Sequence, residues 1–110
     1  MSPDELTDDE ALALICLARA LAAADGVVSD EETKEIGEIG LDLGEGRYDA
    51  LSTKADGEPT GLDHALSLAD SVERPRARDL MLTMLGDLAN SDGIADEEKA
   101  IIDALKGRWS

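Results

Sequence analysis

The chain has 110 residues and a formal net charge of −16. This length indicates one domain, and the charge argues against nucleic acid and anionic lipid as partners, since phosphate binding depends on a dense basic patch. It favours cations or a basic protein surface as partners, with solubility as the alternative reason for the acids. With no Phe, one Trp and one Tyr, Leu, Ala, Ile and Met must fill the core, a composition that favours helices over strands.

The first part of the sequence predicts two helices separated by an acidic loop. Thr7 and Glu10 have the spacing of a capping box, which predicts a helix over residues 7–24. Ser29 and Glu32 repeat this spacing and predict the start of a second helix. This second helix should continue to about residue 43. The first half of the domain is therefore a helix–loop–helix unit.

The rest of the chain predicts a linker and three more helices. Residues 44–61 contain four glycines and one proline, and predict a linker with one short helical turn around residues 48–54. Apolar residues at helical spacing predict a third helix over residues 62–73. A fourth, with proline at its first position, covers residues 75–90, and a fifth covers residues 96–106. No segment shows the two-residue alternation of a half-buried strand.

An internal repeat relates the two ends of the sequence. The stretch AAADGVVSDEETKEI, at residues 22–36, returns as ANSDGIADEEKAII at residues 89–102, and the apolar spacing before each stretch also matches. We therefore predict a compact all-α domain, residues 1–110, of five to seven helices. Two helix–loop–helix halves, about 7–43 and 62–106, should be related by a pseudo-twofold axis so that each buries the other's apolar stripe. The shared centre is predicted to contain Leu17, Leu21, Met84 and Leu88.

The two segments ADGVVSDEETKEI and SDGIADEEKAII, each of which follows an apolar helix, resemble the TerB family of tellurite-resistance proteins over roughly residues 8–106. The resemblance implies a compact all-α fold and a non-enzymatic role in stress response. It also implies a protein partner and a metal site at the acidic residues. The N-terminal domain of the membrane-anchored co-chaperone DjlA is a relative, which implies recruitment to the membrane periphery through a partner. The matching positions are Asp25, Gly26, Ser29, Glu32, Asp92, Gly93 and Glu98.

Helix capping is one interpretation of the repeated Asp-Gly loops. Gly26 and Gly93 suit the left-handed position just past a helix end, and Ser29 with Glu32 opens the next helix. The second loop is one residue shorter and has Ala95 where the first has Ser29. Under this interpretation the protein is a purely structural, solubilising acidic helical domain, and its loops carry no ion site.

Cation binding is the other interpretation. An aspartate at the C-terminal end of a helix is disfavoured by the macrodipole by roughly 0.3–1 kcal/mol, which helix punctuation leaves unexplained. Two explanations are open: the aspartate accepts hydrogen bonds from the N–H groups of the next helix, or it ligates a cation. Neither loop alone supplies the six to eight oxygens of a calcium site. We therefore predict that Asp25, Glu32, Asp92 and Glu98 lie on one side of the molecule and pool their carboxylates for a weakly bound Mg²⁺ or Ca²⁺. The second interpretation gives a non-enzymatic module that binds a partner protein and a divalent cation.

Other polar side chains carry weaker signals. The single Cys16 permits no disulfide within the chain and is expected to act as a small buried hydrophobe. The acidic N-terminal sequence has the wrong sign for a secretory signal, which predicts a cytoplasmic protein. His64, the single histidine, is expected at a surface position rather than in a zinc site. Arg74, Arg76 and Arg78 are expected to pair with the acidic loops within the fold or, alternatively, to form a basic patch for an acidic partner.

Overall fold

Six α-helices form the described part of the chain, which in this computed structural model comprises residues 5–22, 30–57, 62–89 and 96–109. They are α1 (Asp8–Ala22), α2 (Asp30–Leu43), α3 (Glu45–Asp56), α4 (Leu62–Ala69), α5 (Pro75–Ala89) and α6 (Asp96–Trp109). These residue ranges contain no strand, and none of their helices is long and apolar enough to cross a membrane. The predicted all-α class with five to seven helices is confirmed.

Helix α1 lies at the centre of the fold and contacts all five other helices. Its sequence explains this position, because α1 is apolar on nearly every face, and a helix of that kind is stable only when it is buried. Eight of its apolar side chains are at most 4% exposed: Ala11, Leu12, Ala13, Leu14, Ile15, Leu17, Ala18 and Leu21. The core of the domain is therefore organised around the first helix.

Packing between the two predicted halves is reciprocal. Helix α1 contacts α2, and α5 contacts α6, while α1 and α5 pack on each other. In addition α2 reaches α5 and α6 reaches α1. Of the predicted central residues, Leu17, Leu21 and Leu88 are buried, but Met84 is only partly buried. Met81 takes that place, because the buried face of α5 follows the helical spacing Ala77, Met81, Leu85 and Leu88.

The predicted linker over residues 44–61 was wrong in extent, because most of it is the three-turn helix α3. Tyr48, Leu51 and Ala55 lie on one face of α3 and pack against the core, and α3 contacts α1 and α2. The glycines that indicated a linker stand largely at the ends of this helix. Gly44 precedes it and Gly57 follows it, so they bound the helix rather than prevent it.

Gly44 makes the corner between α2 and α3. Its φ angle is 101°, and it is the only residue in the described ranges with a positive φ. Its N–H donates to the carbonyl of Leu41 at 3.2 Å, and its own carbonyl accepts the N–H of Tyr48 at 2.8 Å. A side chain at this backbone conformation is strained, whereas glycine adopts it without a steric cost. One residue thus suffices to separate two helices.

Helix α4 ends four residues earlier than predicted, at Ala69 rather than at residue 73, and α6 continues past residue 106 to Trp109. The two differences are connected. Trp109 donates its indole N–H to the carbonyl of Ala69 at 3.0 Å, and Arg78 donates Nε–H to the carbonyl of Val72 at 2.7 Å. Trp109 thus donates to the last carbonyl of α4, which the N–H of Val72 also reaches at 3.0 Å, while Arg78 holds the segment that follows the helix.

Close packing at Gly40 gives a testable prediction. A Cβ atom at Gly40 would lie 2.8 Å from the ring of Tyr48, whereas a Cβ at Gly37, in the same helix, would meet nothing within 4 Å. Both Gly→Ala variants gain the same helix propensity, but only Gly40→Ala displaces a packed ring. We expect Gly40→Ala to be less stable than Gly37→Ala by about 1–2 kcal/mol in urea unfolding. Equal stabilities would contradict the contact between α2 and α3.

Candidate functional site

The predicted loop residues lie outside the described part of the chain: Asp25, Gly26, Ser29, Asp92 and Gly93. Glu32 and Glu98 belong to α2 and α6, but their side chains are also outside it. The predictions about all seven residues therefore stay predictions. Among the described residues, no group of three or more His, Cys, Asp or Glu side chains could hold a metal ion.

The helices around the two loops have matching surroundings. Residues 23–29 join α1 to α2, and residues 90–95 join α5 to α6. The helices that precede the loops, α1 and α5, pack on each other, and the helices that follow them each contact the opposite half. Both segments thus connect helices with corresponding contacts, as the internal repeat predicts.

A third Asp-Gly sequence lies within the described residues and shows what this pair can do at a helix end. Helix α3 ends at Asp56, and Gly57 follows it with a φ of −83°, its N–H directed at the carbonyls of Ala55 and Lys54. Asp56 accepts a hydrogen bond from Nη1 of Arg19 at 2.7 Å, and this ion pair offsets the unfavourable macrodipole. Here Asp-Gly terminates a helix without a left-handed glycine.

Glu10 forms the most buried polar arrangement in the described residues. Its side chain belongs to the predicted capping box, which is confirmed. The N–H of Thr7 donates to Oε1 of Glu10 at 2.8 Å, and the N–H of Glu10 donates to Oγ1 of Thr7 at 3.2 Å. Glu10 is only 5% exposed, so its carboxylate needs further partners to stay ionised.

Arg74 supplies those partners from the start of α5. Its Nε donates to Oε2 of Glu10 at 3.0 Å, its Nη2 donates to Oε1, and Nη2 also reaches the carbonyl of Glu5 at 3.1 Å. The hydrogen bond from Arg74 lowers the pKa of Glu10, against burial, which raises it. The same contact raises the pKa of Arg74. This two-pronged geometry joins the start of α1 to the start of α5.

The cluster of three arginines divides into three roles. Internal pairing is confirmed for Arg74, although its partner is Glu10 rather than an acidic loop. Arg78 is half-buried, donates to a backbone carbonyl, and places its guanidinium carbon 6.0 Å from the centre of the Trp109 ring. Arg76 is exposed and forms no ion pair with any described residue. The partner-binding alternative therefore stays open for Arg76 and for the unused donors of Arg78.

Other arginines also connect helices across the surface. Arg19 binds Asp56 and Ser52 of α3, Arg47 binds Asp8 and the carbonyl of Leu6, and Arg108 binds Asp70. Exposed pairs of this kind contribute about 0–1 kcal/mol each. These ion pairs matter more for the distribution of charge than for stability, because each of them neutralises an arginine within the fold.

The remaining candidates take packing positions. Cys16 is partly buried against the core. His64 was expected at the surface, but it is half-buried on α4. Neither residue belongs to a cluster of metal ligands within the described ranges.

Comparisons with known proteins return no match, since no family model, no curated protein and no solved structure matches this chain. The resemblance to the TerB family therefore stays a prediction from the two repeated segments.

Proposed function

We propose that this protein is a non-enzymatic, TerB-like stress-response module of the tellurite-resistance kind. It binds a partner protein, and it binds a divalent cation through its acidic Asp-Gly loops. The observation that supports the proposal most strongly is the doubled helix–Asp-Gly–helix sequence, since both copies connect helix pairs that pack reciprocally. A cytoplasmic location, with recruitment to the membrane periphery through the partner, belongs to the same proposal.

Electrostatics support a cation at these loops. The net charge of −16 attracts cations to the whole surface, and it also makes close carboxylates repel one another in the folded state. In the sequence, Asp25 and Asp92 come three residues after the last residues of α1 and α5, and the negative end of a helix dipole disfavours a carboxylate close to it. A divalent cation bound only by the folded state would relieve it. With few ligands in each loop, we expect a Kd of about 10⁻⁴–10⁻³ M.

Removal of the two loop aspartates tests this proposal. At constant ionic strength, 5 mM Mg²⁺ or Ca²⁺ should raise the stability of the wild type by about 1–2 kcal/mol, since binding to the folded form adds RT ln(1 + [L]/Kd). The Asp25→Asn/Asp92→Asn variant should be more stable without the cation and should gain little from it. Thermal unfolding with Na⁺ exchanged for the divalent ion measures both effects.

Asp42→Asn/Asp87→Asn is the matched control, because it removes the same charge from exposed positions on α2 and α5. This control variant should keep the wild-type response to the cation. If all three proteins respond equally, the response is general charge screening, and the cation site is refuted.

The alternative is a purely structural acidic domain whose Asp-Gly loops are helix ends. Its specific support is Asp56-Gly57, which terminates α3 and uses its aspartate for an ion pair with Arg19. An equal response of the three proteins in the cation experiment would favour this alternative.

A further inference from the structure

A cleft of about 240 Å³ lies between the first turns of α5 and the last turn of α6. It has apolar surface on one side and charged groups around it. Its lining residues are Pro75, Arg78, Asp79, Leu82, Lys106 and Trp109. Its described lining includes no residue of the Asp-Gly loops, and it combines cations with apolar surface.

Arg78 is held in place within this cleft. Its Nε donates to the carbonyl of Val72 at 2.7 Å, and its guanidinium lies over the ring of Trp109. Trp109 is fixed in turn by its hydrogen bond to the carbonyl of Ala69. The two terminal Nη groups of Arg78 make no hydrogen bond to any described residue. A guanidinium with a fixed orientation and free terminal donors matches the two oxygens of a carboxylate.

Local charge at the cleft is opposite to that of the whole molecule. Lys106 is exposed on α6 and forms no ion pair with the described residues, while Asp79 is the one acid among the described residues of the lining. Arg76 adds a further exposed cation beside Asp79, in an adjoining depression of α5. Since charges more than about 8 Å apart are largely screened at physiological salt, a ligand in the cleft interacts mainly with these cations rather than with the net charge of −16.

The walls of the cleft also favour one class of ligand. Leu82 and Trp109 are half-buried, so each leaves apolar surface at the opening. A volume of about 240 Å³ accommodates one or two side chains rather than a folded domain or a cofactor. A second copy of this chain would place a large surface of the same net charge, −16, against the first, so that many like charges would lie within the screening length and oppose self-association.

From this geometry we infer that the cleft binds a short acidic segment of a partner protein. A Glu or Asp carboxylate of the segment accepts hydrogen bonds from Arg78 and pairs with Lys106, and a neighbouring apolar side chain packs against Leu82 and Trp109. The inference rests on the proposed partner-binding function and assigns it a surface other than the Asp-Gly loops.

Trp109 is the only tryptophan of the chain, so its fluorescence reports on this cleft. The probe is a short capped peptide of alternating glutamate and leucine, titrated into the full chain at physiological salt, where the net charge of the chain is largely screened. We expect a saturable change in Trp109 emission that weakens as salt is raised. A peptide with glutamine in place of glutamate should bind at least about tenfold more weakly, since it loses the charge-assisted hydrogen bonds.

Variants of the cations locate the binding. Lys106→Gln should weaken peptide binding by about threefold to tenfold, and Arg76→Gln by about twofold to threefold, as partly exposed ion pairs do. Lys54→Gln, an exposed lysine on α3, is the matched control and should bind as the wild type does. Arg78→Lys keeps the charge but loses the planar guanidinium, which can donate two parallel hydrogen bonds to a carboxylate. It should therefore weaken peptide binding by at least about tenfold. If circular dichroism shows that Arg78→Lys is unfolded, the peptide affinity of Lys106→Gln decides whether the inference holds.

Several results would overturn the inference. Equal binding of the glutamate and glutamine peptides, no change in Trp109 emission, or the same loss in Lys54→Gln as in Lys106→Gln would each do so. An equal emission change with citrate or inorganic phosphate alone would assign the cleft to small anions. Self-association in sedimentation that Lys106→Gln abolishes would assign it to a second copy. The cation experiment uses no peptide. A negative result with the peptide would therefore refute the acidic-segment site without refuting cation binding at the Asp-Gly loops.

Discussion

Leu88→Ala should lower the free energy of unfolding by about 2–5 kcal/mol, the usual cost of a cavity at a fully buried leucine. Leu88 is completely buried on α5, the helix that packs on α1, α2 and α6. Its loss therefore leaves a void where the two halves of the domain meet, and helices on three sides must move to fill it. Urea unfolding followed by circular dichroism measures the change, and the slope with urea should stay unchanged if unfolding stays two-state.

Leu41→Ala is the matched control for this experiment. Leu41 has the same side chain in another helix but is 72% exposed, so its truncation should change stability by less than about 0.5 kcal/mol. If Leu88→Ala costs no more than Leu41→Ala, the two halves do not share a core at α5. That outcome would refute both the packing described for the fold and the two-half interpretation of the repeat.

Glu10→Ala should cost about 2–3 kcal/mol. The charge-assisted hydrogen bonds to Arg74 contribute about 1.5–3 kcal/mol, a value reduced here because half of Arg74 is exposed to solvent. Loss of the contact with the Thr7 N–H adds about 1 kcal/mol. Glu10→Gln keeps a side chain that completes a capping box, so it should lose about half as much. Glu38→Gln, at an exposed position on α2, is the control and should be neutral or slightly stabilising in this acidic chain.

Dependence on pH distinguishes the ion pair from simple packing. Arg74 lowers the pKa of Glu10 below its ordinary value of 4.5, so the folded state holds this proton less tightly than the unfolded state does. The stability that Glu10 contributes is therefore complete above about pH 5 and is lost as the pH falls through the folded-state pKa.

The measured quantity is the difference in unfolding free energy between the wild type and Glu10→Gln from pH 7 to pH 3. Repulsion among the other acids is nearly the same in both proteins and cancels in this difference. The difference should be constant down to about pH 5 and should then shrink. A difference that stays constant to pH 3, or grows as the pH falls, would show that Arg74 does not stabilise the ionised carboxylate.

Local patterns in the sequence determined most of the helices and the class of fold. The capping box at Thr7 and Glu10 is present as predicted, and Pro75 opens α5. Such features depend on residues within one or two turns, and for that reason the sequence alone exposes them. The same holds for α1, whose nearly uninterrupted apolar sequence already requires a buried position. For α3 the local pattern was ambiguous, since glycines at both ends concealed a short apolar face.

Only the tertiary structure decided which distant side chains meet. Glu10 and Arg74 are 64 residues apart, and Trp109 reaches Ala69 across 40 residues to stabilise the early end of α4. Helical periodicity states which face of a helix is buried, but it does not state which other helix covers that face. The three neighbouring arginines show the consequence, because in the sequence they form one basic cluster. In the structure, the packing of α5 against α1 and α6 directs Arg74 to a buried carboxylate and Arg78 to a tryptophan ring. Arg76 stays exposed to solvent.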